Sequence, residues 1–78
     1  MTISIVERVP LAASVTFGEH DIVVSLVDGR TLSVPLAWFP RLAKATREQL
    51  VNFELLGDGD GIHWPDLDED LSVEGLLR

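Results

Sequence analysis

Chemistry-capable side chains crowd one stretch of the chain, GDGDGIHWPDLDED, residues 57–70. An EF-hand loop wants oxygen ligands at positions 1, 3 and 5, glycine at 6 and glutamate at 12. A frame beginning at Asp58 supplies Asp58, Asp60 and Glu69 at positions 1, 3 and 12, but puts Ile62 at position 5 and His63 where the glycine belongs. A frame beginning at Asp66 supplies Asp66, Asp68 and Asp70, then Leu71 and Leu77 at the glycine and glutamate positions. Both frames fail where an ion needs them, and Asp-Gly turn chemistry accounts for the glycines. A zinc site needs four ligands, usually nitrogen and sulfur, and the chain holds two histidines, His20 and His63, and no cysteine. His63 with Asp66 can be drawn as an acid–base dyad, yet no nucleophile motif accompanies it. We therefore expect no enzyme, no cofactor and no resident metal. A divalent-cation-binding regulatory domain using the Asp-rich segment 58–70 is the alternative.

What remains is recognition. Trp38-Phe39-Pro40 and Trp64-Pro65 place both tryptophans beside prolines. Each tryptophan either closes a small core or anchors an interface, where tryptophan is enriched. Core closure is favoured for Trp38. For Trp64 the two readings balance, because it adjoins an acidic rim. The candidate partner-binding set is Trp64, Asp66, Asp68, Glu69 and Asp70, a tryptophan ringed by carboxylates that suits a basic partner.

The elements that must position these residues are short. In DIVVSLVDGRTLSVPL, residues 21–36, two β-rich runs flank Asp28-Gly29. A two-residue Asp-Gly loop would pair Val24 with Ser33 and mix the faces. The three-residue loop Val27-Asp28-Gly29 pairs Val24 with Leu32 and Ile22 with Val34, with Gly29 in the left-handed position. Pro35 ends its strand or sits at an edge. Residues 14–17 form a further strand closed by Gly18, and Ile3 and Ile5 suggest another. Thr46-Arg47-Glu48-Gln49 matches a capping box. It starts a helix running from Arg47 to about Phe53; in the competing reading residues 53–56 are a strand, hairpinned through Gly57-Asp58-Gly59-Asp60 to residues 61–64. Ser72 caps a last turn over residues 73–77. The fold expected is α+β: a small antiparallel sheet of three to four strands with one or two short helices.

Composition bounds the rest. Seventy-eight residues make one domain, 1–78, of marginal intrinsic stability. With no cysteine, its core rests on the 46% apolar content, and a reducing compartment suits it. Glu7 and Arg8 interrupt the first apolar run, and no run approaches the ~20 residues that span a bilayer, so the chain is expected to be cytoplasmic. The net charge of −7 is one-sided. Residues 1–53 hold five acids and five bases, whereas residues 54–78 hold eight acids and Arg78 alone. Nucleic acid would be repelled there and a basic protein attracted, and no membrane partner is expected.

VDGRTLSVPLAWFPRLAKATREQL followed by GDGIHWPDLDEDLSVEGLL resembles a bacterial family known as domain of unknown function 2442, over about residues 13–77. The resemblance rests on Asp28-Gly29-Arg30, Pro35-Leu36, Phe39-Pro40-Arg41-Leu42, Ala45-Thr46, Gly61-Ile62-His63-Trp64-Pro65 and Asp68-Glu69-Asp70-Leu71-Ser72-Val73. It implies a small α+β domain and an antitoxin-like role beside a partner of the domain of unknown function 4160 family. It assigns no catalytic or binding residues. Self-association through a sheet edge is also open to so small a core.

Overall fold

The computed structural model describes residues 11–77. They form two three-stranded antiparallel meanders that share one apolar core. The first contains β1 (Ala12–Phe17), β2 (Asp21–Leu26) and β3 (Thr31–Pro35), the second β4 (Glu54–Leu56), β5 (Gly61–Trp64) and β6 (Glu69–Ser72). A 3-10 turn (Leu36–Trp38) and two short helices, α1 (Pro40–Ala43) and α2 (Arg47–Val51), connect them, and α3 (Val73–Leu76) follows β6. The α+β class is as expected, with six strands in two sheets and three helices among the described residues in place of the smaller single sheet.

Side-chain alternation sets the first sheet. Ile22 pairs with Val34 and Val24 with Leu32, the register that the three-residue loop requires. Leu26 and Arg30 close that loop through a 2.8 Å backbone bond, and Gly29 sits at φ 98°. Arg30 donates to Asp28 from both backbone and side chain. The guanidinium bond, then the amide bond, hold the Asp28 carboxyl below its ordinary value. In β1 the register shifts between Ala12 and Ser14. The extra residue, Ala13, lets Ala12 and Val15 both face the core although they lie three apart. β3 ends at Pro35 and is an edge strand, so the missing N–H costs no ladder bond.

Thr46 caps α2 with the full reciprocal box: its hydroxyl accepts from the Gln49 amide, and Gln49 Oε1 accepts from the Thr46 amide. The helix stops at Val51, short of Phe53. Asn52, at φ −92° and ψ 72°, turns Phe53 inward against Phe17 and Trp64, with ring centroids 6.0 and 6.4 Å away. Residues 54–56 then run as β4, so the strand reading of this segment holds and the longer helix does not. Burying an aromatic ring outweighs one more turn of helix. Ser72 caps α3 by accepting from Gly75 N. The strand suggested by Ile3 and Ile5 lies outside the described residues.

The sheets meet at Gly59 and at the Phe17–Phe53–Trp64 cluster. Ala12 N donates to Gly59 O at 2.9 Å. At φ 114°, a Cβ on Gly59 would come within 2.5 Å of the Ala12 carbonyl oxygen, so only glycine permits this approach.

Candidate functional site

The acid-rich stretch is spread along the second sheet. Asp58 and Asp60 lie in the β4–β5 connection, Asp66 and Asp68 in the β5–β6 connection. These connections leave opposite ends of β5, whose four residues separate them by ~10 Å at ~3.3 Å per residue. Accordingly, among the described residues no three or more His, Cys, Asp or Glu side chains gather as a metal-holding group.

Of the four candidate acids Asp66, Asp68, Glu69 and Asp70, three have internal partners. Asp66 accepts from Asn52 Nδ2 at 3.0 Å. Glu69 lies 4.0 Å from the Arg41 guanidinium, which also donates to the carbonyls of Leu67 and Asp68 at 3.3 and 3.0 Å. Arg41, in α1, thereby holds the β5–β6 connection, where Asp68 adopts φ 52°. Asp70 bonds His63 Nδ1. The Asp68 carboxylate has no hydrogen-bond or ion-pair partner among the described residues.

His63 pairs in register with Asp70 on one side and Glu54 on the other. The bond to Asp70 raises its pKa above the ordinary histidine value, opposed by partial burial and supported by the charges of Asp70, Glu54 and Asp68. The dyad considered from sequence, His63 with Asp66, does not form. Asp66 belongs to a connection, whereas Asp70 lies directly opposite His63 in the ladder. Ser72 occupies the same strand face as Asp70, but its hydroxyl is bonded to Gly75 N and not to the imidazole.

The structure buries Trp64, for which the two readings balanced, and exposes Trp38, for which core closure was favoured. Trp64 is 0% exposed, so it cannot anchor a partner, and this member of the candidate set is corrected. It lies on the central strand of its sheet and shares the inward face with Ile62. Its Nε1 donates to Leu50 O at 2.9 Å, giving a partner to a carbonyl that the end of α2 leaves unbonded. Trp38 instead is 67% exposed. Leu36 of the 3-10 turn, Phe39 after it and Leu42 of α1 pack on the core, and Trp38 falls between them on the solvent side. The spacing of Leu36, Phe39 and Leu42 was the available signal.

Trp38 lines a groove of about 320 Å³ with Phe39, Asp70, Leu71, Ser72, Gly75 and Leu76. Its apolar wall is Trp38, Phe39, Leu71 and Leu76, and its carboxylate is Asp70. The acidic third of the chain and an exposed indole therefore do adjoin, through Trp38.

Residues 12–78 match the family described as "Protein of unknown function (DUF2442)". The chain belongs to the DUF2442 family. No curated protein matches it significantly. A crystal structure of a protein of unknown function from Rhodospirillum rubrum superposes with a TM-score of 0.76 at 37% identity, covering 87% of this chain and 84% of that one. The solution structure of an uncharacterized protein from Chromobacterium violaceum gives a TM-score of 0.73 at 32% identity, covering 86% of this chain and 63% of that one. Among the described residues, no helix is long and apolar enough to cross a membrane.

Proposed function

We propose that this chain is a small, non-enzymatic, cytoplasmic protein-interaction domain, the antitoxin-like member of a bacterial toxin–antitoxin pair, which binds a partner protein of the DUF4160 type through its acidic C-terminal third. One observation carries the docking reading: the 67%-exposed indole of Trp38 shares a groove with Asp70, Leu71 and Ser72 of that third. An exposed aromatic beside an apolar recess, rimmed by charge of one sign, is the anatomy of an interface. The carboxylates supply steering and the indole supplies contact area. The antitoxin assignment is what family resemblance implies, and the surface itself is independent of it.

Co-expression with the product of the neighbouring gene, followed by titration calorimetry at two salt concentrations, tests the reading. Tight binding that weakens with salt is the expected result. Asp68→Asn, which keeps a residue tolerant of the left-handed backbone, should lower affinity and reduce the salt dependence without changing the fold. Binding indifferent both to salt and to this substitution would move the interface elsewhere.

A further inference from the structure

We infer that the groove takes its partner as an extended, basic–apolar segment added as a fourth strand at the open edge of β6. This rests on the docking surface proposed above and specifies what occupies it.

Backbone register supplies the argument. β6 pairs with β5 through Ile62–Leu71 and Trp64–Glu69, and Val73 N donates to Asp60 O at 3.0 Å just beyond the strand. In an antiparallel ladder, residues alternate between bonding the neighbour and facing away from it. Since residue 73 bonds toward β5, residues 71 and 69 do too, and the N–H and C=O groups of Asp70 and Ser72 face outward. Among the described residues no strand flanks β6 on that side, which leaves the N–H and C=O of Asp70 and the N–H of Ser72 open, while the Ser72 carbonyl, as the N-cap of α3, starts that helix. The groove lies against this stretch of β6, lined by Asp70, Leu71 and Ser72 together with Trp38, Phe39, Gly75 and Leu76. An open edge beside an apolar recess is the geometry of strand addition.

Charge selects the occupant. Residues 54–77 carry eight acids and no base, so a second copy pairing β6 with β6 would bring two such surfaces together. A segment alternating apolar and basic residues instead sets its apolar side chains on the Leu71 side, against Phe39 and Leu76. Its basic side chains then fall on the face that carries Asp70, His63 and Glu54. Alternation follows from the period of two along a strand.

Nitrogen-15 NMR titration of the full chain with the peptide acetyl-RVRVR-amide tests this. Two further peptides serve as comparisons: a copy N-methylated at alternate amides, which cannot complete the ladder, and acetyl-EVEVE-amide. The inference expects shifts at the amides of residues 70–72 and at the Trp38 indole, slower hydrogen exchange at Asp70 and Ser72, at least tenfold weaker binding after N-methylation, and none for the acidic peptide. Equal binding of methylated and unmethylated peptides, lost in Trp38→Ala, would overturn strand addition while leaving the docking surface standing. Shifts elsewhere, no shifts, or concentration-dependent shifts at residues 70–72 without peptide would also overturn it. Loss of partner binding in Trp38→Ala reads the docking surface separately.

Discussion

Two tryptophans, each next to a proline, have opposite fates. Around Trp64, every feature serves cohesion: the ring is fully buried, packs against Phe17 and Phe53, and bonds the end of α2. Around Trp38, the chain turns its largest side chain to solvent beside an open strand edge. The difference lies in the backbone beneath them. A central strand has one face for the core, and Trp64 takes it with Ile62; the 3-10 turn gives the core Leu36, and Trp38 falls on the solvent side. One indole is the joint of the fold and the other is surface available for recognition.

The contrast breaks most visibly if Trp64 proves dispensable. Trp64→Ala opens a cavity at the junction of both sheets and should cost about 3–5 kcal/mol, enough to unfold much of so small a domain. Thermal or urea denaturation measures it, and a loss under 1 kcal/mol would show that the sheets cohere by other means. Thr46→Ala removes the hydroxyl from the α2 capping box and should cost about 1 kcal/mol in the same assay. A neutral result there would mean that burial of Leu50 and the Trp64 and Arg47 bonds hold α2 without its cap.

His63 sharpens the contrast through pH. Its pKa is raised in the folded state by Asp70, so its contribution to stability is fully present below the unfolded value of about 6.5 and is lost as pH rises through the folded one. Protonated His63 favours the fold, and the melting-temperature gap between wild type and His63→Gln should be wider at pH 5.5 than at pH 8.5. The opposite trend, or equal gaps, would mean that the His63–Asp70 bond does not persist in solution. The effect should be the smallest of the set, because the Asp70 side chain is largely exposed and its pairing is screened.

Much of this was legible in residue order. The hairpin register followed from the alternation of Ile22, Val24 and Leu26 against Leu32, Val34 and Leu36, and Thr46 announced its cap. Local chemistry dictates such features. The end of α2 was not legible, because Leu50 and Phe53 keep helical spacing; only the packing of Phe53 against Phe17 and Trp64, residues distant in sequence, decides for a strand. The exposure of Trp38 and the burial of Trp64 were not legible for a similar reason. Trp64 adjoins acids in sequence, but the pleat directs it into the core, while Trp38 meets Asp70 only after the chain has folded. Proximity along the chain located the acidic surface but not its aromatic member.

The central claim is that Trp38, and not Trp64, is the recognition residue. Calorimetric titration of wild type and Trp38→Ala with the neighbouring gene's product addresses it, alongside melting curves of the two proteins. The account predicts at least tenfold weaker binding by Trp38→Ala, about 1.4 kcal/mol, with stability changed by no more than about 0.5 kcal/mol, as for exposed positions. Equal affinity for both proteins would contradict it.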